Sequence, residues 1–191
     1  MFLNIITPCS RPENLKIISE SINIPKENYR WIVVFDFDEL PDKKLIPSNC
    51  ETYLHKNLES VVGHSQRNFA LDLIDNGHVY MNDDDTIIHP DLWENIKNLN
   101  QDFISFSQGF QNGDLRLSGD TIKVNHIDSH NFIVSNKLID TDRWIINLYE
   151  ADGHFATTLF EKISENSGFE YIFIPKILSL YNFLRKDQEL N

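Results

Sequence analysis

The chain has 191 residues, with 17 Lys and Arg against 29 Asp and Glu, which gives a formal net charge of −12. This charge disfavours a nucleic-acid partner, and no basic run indicates an anionic membrane surface. No apolar run approaches the roughly 20 residues of a membrane span, and the start lacks a signal peptide's basic leader. The two cysteines, Cys9 and Cys50, favour free thiols in a reducing compartment. We therefore expect a cytoplasmic protein with a single domain over residues 1–191 and no integral membrane segment.

Strand and helix signals alternate through the first hundred residues. Apolar runs at residues 2–7 and 31–35 predict strands, and further short strands are predicted at 51–55 and 78–81. Ser10 is predicted to cap a helix that Pro12 and Glu13 begin, and helical periodicity returns over 64–75 and from Pro90. This β-α-β-α order predicts an α/β fold with a mixed, mainly parallel sheet flanked by helices. Ligands of such sheets bind beyond the carboxyl ends of the strands.

The second half has shorter elements. We predict strands at 103–110, 115–117, 121–125, 132–135, 169–174 and 177–181. A helix is predicted from about residue 152 to residue 165, with its apolar residues on one face. We interpret residues 101–191 as a continuation of the same sheet that binds the acceptor, and residues 1–100 as the half that binds a nucleotide-sugar.

Three carboxylates, Asp83, Asp84 and Asp85, directly follow the predicted strand at 78–81. Adjacent carboxylates repel one another, and a hard divalent cation such as Mn²⁺ or Mg²⁺ would remove that penalty. The same cation would bind the two phosphates of a nucleotide. A solvated acidic turn is the alternative explanation.

Two further segments are placed to contact a nucleotide. Asp36 follows the strand at 31–35 and would accept a hydrogen bond from a nucleobase, unless it is an ordinary loop residue. Gly63 precedes a helix and lets the backbone approach a ligand. Arg67, in the first turns of that helix, would either reach a phosphate, fix the acidic cluster or form a surface ion pair.

Several short motifs then occur in order. They are Thr7-Pro8 with Ser10-Arg11-Pro12, residues 31–34 with Asp36, Gln66-Arg67-Asn68 with Ala70-Leu71, and Val79-Tyr80 before Asp83-Asp84-Asp85. This set resembles the β-1,3-glucuronyltransferase family and, more broadly, the inverting GT-A glycosyltransferases. The resemblance covers about the first half of the chain. It departs from the animal enzymes, because the sequence shows neither their membrane anchor nor their stem, and their catalytic glutamate segment does not align.

The resemblance implies a Rossmann-like GT-A fold, a UDP-sugar donor and a Mn²⁺ or Mg²⁺ cofactor. It implies that Asp85 ligates the metal with support from Asp83, and that Asp84 touches the ribose or the sugar. Thr7, Pro8 and Asp36 would hold the uridine. The implied nucleotide-sugar-binding residues are Thr7, Pro8, Arg11, Asp36, Arg67, Asp83 and Asp84. The donor sugar is not implied, and glucuronic acid is one candidate.

The segment at 149–154 carries the candidates for the general base. We predict that Asp152 takes the proton of the acceptor hydroxyl, with Glu150 as the second choice. A helix cap is the alternative role for Asp152. A third metal ligand or a structural role is open for His126, His130 and His154. Arg185 and Lys186 would either close over the diphosphate or belong to a solvated tail.

These residues predict sugar transfer from a nucleotide diphospho-sugar to a hydroxyl of a glycan, lipid or protein. The transfer would invert the anomeric centre if a carboxylate base lies opposite the leaving group. A nucleotidyltransferase is one alternative, although residues 7–11 lack the Gly-rich, basic phosphate loop of such enzymes. A non-catalytic nucleotide- or glycan-binding module of the same fold is the other.

Overall fold

The computed structural model describes residues 1–56, 63–145 and 148–185. The strands are β1 (Leu3–Cys9), β2 (Tyr29–Phe35), β3 (Glu51–Leu54), β4 (His78–Met81), β5 (Phe103–Gly109), β6 (Leu115–Leu117), β7 (Phe132–Ser135) and β8 (Tyr171–Leu180). The helices are α1 (Leu15–Ser21), α2 (His64–Leu71), α3 (Leu92–Ile96), α4 (Asn136–Ile139) and α5 (Ala151–Glu165). Short 3₁₀ turns cover Pro12–Asn14, Lys26–Asn28, Lys43–Leu45 and Ser129–Asn131.

All the described strands belong to one mixed sheet in the order β3-β2-β1-β4-β7-β5-β6, with β8 paired to β5. Strands β1 to β4 pair in parallel, as do β5 and β8, whereas β7 is antiparallel to both β4 and β5. The predicted fold class is therefore confirmed. Strands from both halves of the sequence share the sheet, as expected for the second half.

The two central strands explain why helices cover both faces. Along β1 and β2, Ile6, Ile32 and Val34 pack with α2 and α5 in one core cluster. Ile5 and Val33, one position away, pack with α1 and α3 in the other cluster. Alternate side chains of a strand point to opposite faces, so a run that is apolar throughout must be buried on both.

Several predicted elements differ from the structure. Residues 121–125 form turns rather than a strand, because Asn125 has φ = 66°, a left-handed conformation that a strand does not contain. The helix predicted over 64–75 ends at Leu71, so α2 is shorter. The two predicted late strands are one strand, β8, whose pairing with β5 shifts register around Pro175. Proline lacks a backbone N–H, and a bulge accommodates it within the ladder.

The helix predicted to start at Ser10 begins later and in another way. A 3₁₀ turn at Pro12–Asn14 precedes α1, and neither element has a side-chain cap. The Ser10 hydroxyl instead donates to Asp84 at 3.1 Å. The expected Ser10 cap is therefore wrong, because a long-range carboxylate binds the hydroxyl that would have capped the helix. Within the described ranges, no helix combines the length and the apolarity that crossing a membrane requires.

Candidate active site

The carboxyl ends of β1, β2 and β4 meet at one edge of the sheet, and a cavity of about 370 Å³ opens there. This is the first cavity. Its lining residues are Pro8, Cys9, Ser10, Arg11, Asp36, Gly63, Gln66, Arg67, Asp83, Asp84, Asp85 and Arg185. Parallel pairing thus brings together the three polar segments that follow these strands in the sequence.

Asp84 holds the loop after β1 in place. Its Oδ2 accepts the backbone N–H groups of Ser10 and Arg11 at 2.6 and 2.7 Å, and its Oδ1 accepts Arg11 Nη1 at 2.5 Å. Burial raises the pKa of the Asp84 carboxyl, although these donors oppose the shift. Both oxygens are engaged within the protein, so the implied contact between this side chain and a ribose or sugar is not what the geometry favours.

Asp83 lies between two buried cations. Its Oδ1 is 2.7 Å from Arg67 Nη2, and its Oδ2 is 3.3 Å from His130 Nε2. Burial would raise the pKa of the Asp83 carboxyl, but the charges of Arg67 and His130 outweigh burial and lower it. Arg67 is only 3% exposed, so it fixes the acidic cluster rather than forming a surface ion pair.

Asp85 is the one carboxylate of the three that has an oxygen without a hydrogen-bond partner among the described residues. Its Oδ2 is 2.7 Å from Arg185 Nε and 3.6 Å from Arg11 Nη1. Its Oδ1 is buried and has no hydrogen-bond partner among the described residues. A buried acceptor without a partner is costly unless a ligand completes it.

The charges of the cluster are compensated inside the protein. Each carboxylate faces at least one cation, and the cations are Arg11, Arg67, Arg185 and His130. Side chains distant in sequence thus supply positive charge to the three adjacent aspartates, so their mutual repulsion does not by itself require a divalent metal.

A divalent metal nevertheless fits one position. The described residues contain no group of three or more His, Cys, Asp or Glu that could hold a metal ion by itself. Mg²⁺ and similar ions are commonly bound by one or two carboxylates, with the remaining ligands from substrate phosphates and water. Asp85 Oδ1 suits that mode, whereas both Asp83 oxygens are already engaged by Arg67 and His130.

The expected uridine contacts separate into two groups. Pro8 and Asp36 line the first cavity. Thr7 does not line it, because its side chain is fully buried and its Oγ1 accepts Trp31 Nε1 at 3.0 Å. Along a strand, neighbouring side chains alternate between faces, so Thr7 and Pro8 point in different directions. Gly63 approaches Pro8 closely, since a Cβ on Gly63 would lie 3.0 Å from Pro8 Cβ.

A second cavity, of about 270 Å³, adjoins the first. Its lining residues are His64, Arg67, Asp83, Asp85, Arg116, Leu117, Asn125, Ile127, Asp128, His130, Tyr149, Glu150, Asp152, Gly153, Tyr181, Asn182 and Arg185. The two cavities have Arg67, Asp83, Asp85 and Arg185 in common. The acidic cluster therefore lies between a space bounded largely by the first half of the chain and a space bounded largely by the second.

Asp152 and Glu150 both line this second cavity. Helix α5 begins at Ala151 and its N-cap is Glu150, without a side-chain bond, so the alternative role of Asp152 as the helix cap is wrong. Asp152 lies in the first turn, where its Oδ1 accepts Trp144 Nε1 at 3.0 Å. Trp144 in turn stacks on Phe155, with ring centroids 3.7 Å apart. Packed aromatic rings therefore orient the candidate base.

His130 connects Asp83 to residues that the sequence analysis missed. The ring is buried, with Nδ1 3.0 Å from Asp128 Oδ1 and Nε2 3.3 Å from Asp83 Oδ2. Burial lowers the pKa of His130, but the two carboxylates outweigh burial and raise it. The backbone N–H of Asp83 lies 3.0 Å from Nε2 and favours the neutral form of the ring. The carboxylates of Asp83 and Asp128 favour the protonated form more strongly, because each brings a negative charge to one ring nitrogen. Asp128 also pairs with Arg116 at 2.9 Å. No local pattern signals this chain of charges.

The remaining candidates are placed as follows. His126 is exposed, and His154 is half-buried on α5. Arg185 belongs to the site through its bond to Asp85, whereas Lys186 lies outside the described residues.

The fold is shared with glycosyltransferases of known structure. No protein-family model and no curated protein matches the chain. Similar solved structures include Staphylococcus aureus TarS 1–349 in complex with UDP-GlcNAc, with a TM-score of 0.71, 15% identity, and 95% of this chain and 58% of that chain covered. Another is the mannosyltransferase PcManGT from Pyrobaculum calidifontis in complex with GDP-Man and Mn²⁺. Its TM-score is 0.67 at 12% identity, and the match covers 96% of this chain and 57% of that chain.

Both neighbours are GT-A type glycosyltransferases, so the resemblance predicted from the sequence motifs is confirmed at the level of the fold. The chain spans about three fifths of the length of the TarS 1–349 structure that it matches.

Proposed function

We propose that this chain is a glycosyltransferase domain that moves a sugar from a nucleotide diphospho-sugar to a hydroxyl group. The observation that carries the proposal is the junction of two cavities at Arg67, Asp83, Asp85 and Arg185. A transferase needs two substrates to meet at one point, and this junction lies at the strand edge where ligands of open α/β sheets bind. Neighbours of the same fold were solved with UDP-GlcNAc and with GDP-Man.

The first cavity suits the donor. Pro8 and Asp36 lie near one another on its wall and are proposed to contact the base, with UDP as the preferred nucleotide. Arg11 and Arg185 flank Asp85 and would bind the phosphates. A Mn²⁺ or Mg²⁺ ion held by Asp85 Oδ1 and by the donor's phosphates would act as a Lewis acid that stabilises the leaving nucleotide.

The second cavity suits the acceptor. Asp152 would take the proton of the attacking hydroxyl, since one of its oxygens is oriented by Trp144 and its carboxylate lines the cavity. Glu150, on the same wall, is the second candidate. If this carboxylate lies opposite the leaving group, transfer inverts the anomeric centre. We place the reaction in the cytoplasm, because both cysteines are free thiols.

A thermal-shift screen tests the donor half of the proposal. The screen uses UDP and GDP, with Mn²⁺ and with EDTA, followed by UDP release with and without a panel of acceptors. A nucleotide at 100 times its dissociation constant should add about 2.7 kcal/mol to the free energy of unfolding. Equal stabilisation in EDTA and in Mn²⁺ would contradict the metal at Asp85. Binding without transfer to any acceptor would favour the non-catalytic module.

A further inference from the structure

The second cavity has a charge pattern that bears on the acceptor, an inference that rests on the proposed function. Each of its three arginines already forms an ion pair with a carboxylate. Arg67 pairs with Asp83 and Arg185 with Asp85, each at 2.7 Å. Arg116 pairs with Asp128 at 2.9 Å and also contacts Gln108. His130 lies between Asp83 and Asp128. The positive charge of each of these side chains is therefore already balanced by a carboxylate before an acceptor arrives.

Two carboxylates of the same cavity have no such match. Glu150 and Asp152 form no ion pair among the described residues, and Asp152 accepts only the neutral Trp144 N–H. The negative charge of Asp152 acts on Arg67, but it does so at a distance and not as an ion pair. If donor phosphates lie beside the residues that the two cavities have in common, the remaining space for the acceptor faces the carboxylates of Glu150 and Asp152.

An aromatic surface lines the mouth of the cavity. Tyr149 is 83% exposed although it lines the cavity, and Tyr181 lines the same cavity. Arg116 lies over the Tyr181 ring at 3.7 Å, which leaves the Tyr149 ring as the open face. An aromatic face packs against C–H groups, while carboxylates accept hydrogen bonds from hydroxyl groups.

We propose that the second cavity binds an uncharged sugar ring as acceptor, with one face on Tyr149 and its hydroxyl groups on Glu150 and Asp152. A ring that carries a phosphate or a carboxylate next to the reacting hydroxyl is rejected, because it meets the carboxylates of Glu150 and Asp152, which form no ion pair among the described residues.

Matched ligands test this acceptor class. The probes are methyl glycosides of glucose, galactose, mannose and N-acetylglucosamine, with the 6-phosphate and the 6-carboxylate of each hexoside. Binding is measured by saturation-transfer NMR with UDP and Mn²⁺ present. We expect the neutral member of each set to bind at least about tenfold more tightly than its anionic partners. Tyr149→Ala should weaken the neutral ligands, and Glu150→Gln should narrow the gap between neutral and anionic ones. Glu161→Gln, an exposed change on the same helix, should leave both unchanged.

The outcomes separate this inference from the proposed function. If UDP stabilises the protein but an anionic member binds as tightly as its neutral partner, or if no neutral glycoside binds at all, the acceptor class is wrong and the donor site stands. If neutral glycosides bind with the expected preference while no nucleotide does, the cavity is a sugar site and the transferase proposal fails.

Discussion

Asp152→Asn separates the chemistry of this side chain from its structural role. Trp144 is 5% exposed, and its Nε1 donates to Asp152 Oδ1 at 3.0 Å. Asparagine keeps an oxygen at that position, so the hydrogen bond survives, but the amide cannot accept the hydroxyl proton. We expect the free energy of unfolding and the affinity for UDP to stay near wild type, and the transfer rate to fall by about 10²–10⁴.

Asp152→Ala supplies the structural comparison. It removes the acceptor and leaves a buried indole N–H without a partner, which should cost about 1–3 kcal/mol. For a domain of this size, each kcal/mol corresponds to roughly 2–4 °C in Tm. The alanine variant should therefore melt several degrees lower, unlike the asparagine variant.

The assay compares UDP release, UDP binding and Tm in the two variants and in Asp75→Asn, an exposed carboxylate after α2. Near-normal transfer by Asp152→Asn would refute the base assignment, and Glu150→Gln would then be the variant to measure. A loss of transfer together with a loss of UDP binding would instead show that Asp152 acts on the donor site.

The remaining predictions concern the metal, the first cavity and the thiols. Asp85→Asn should abolish the Mn²⁺-dependent part of UDP stabilisation in a thermal-shift assay. It should lower the free energy of unfolding without metal by no more than about 1 kcal/mol, because Arg185, its ion-pair partner, is partly exposed. An unchanged Mn²⁺ response would contradict the assignment of Asp85 as the metal ligand. Gly63→Ala should lower the free energy of unfolding in urea by about 1–2 kcal/mol and weaken UDP binding. The reason is that Gly63 has φ = 79° and that the added Cβ would lie 3.0 Å from Pro8. Equal stability of the variant and the wild type would show that position 63 accepts a Cβ without strain. Burial raises the pKa of Cys50 to about 11, so at pH 8 its alkylation by iodoacetamide, followed by mass spectrometry, should be about 10²-fold slower than that of a free thiol and should accelerate as the pH rises. The pKa of Cys50 in the folded protein exceeds the unfolded value of about 8.5, so its contribution to the free energy of unfolding should be complete below pH 8.5 and be lost as the pH rises toward 11. Rapid labelling of Cys50 at pH 8 would contradict both the slow alkylation and this pH dependence.

The strands of the first half were predictable because their signals are local. Residues 31–35 are apolar throughout and all five are buried in β2, and the strand predicted at 78–81 matches β4. Parallel pairing then fixes where the carboxyl ends lie, so the position of Asp36 and of Asp83 at one edge follows from the strand order.

The partners of the site were not predictable, because they depend on distances that no local pattern encodes. Ser10 looked like a helix cap, yet its hydroxyl binds Asp84, 74 positions away. Arg185 bonds to Asp85 across 100 positions. Arg116 lies in β6, which was predicted as a strand, and Asp128 precedes the 3₁₀ turn at Ser129–Asn131, but no local pattern marks either side chain as part of the site. Only the folded chain shows that they extend the charges of Asp83 through a buried histidine.

Arg67 lines both cavities of the proposed transferase site. It is buried, pairs with Asp83 at 2.7 Å and lies 5.8 Å from the Trp144 ring that orients Asp152. If the chain binds a donor as proposed, a phosphate that draws the guanidinium toward the first cavity would change the electric field and the packing at Asp152. Thermodynamic linkage requires the reverse effect to be equally large, so an acceptor that shifts Trp144 or Asp152 must alter donor affinity by the same factor. We therefore expect Arg67→Lys, which keeps the charge but loses the planar guanidinium, to weaken any effect of an acceptor on UDP affinity, and an unchanged effect in a binding titration would refute this coupling.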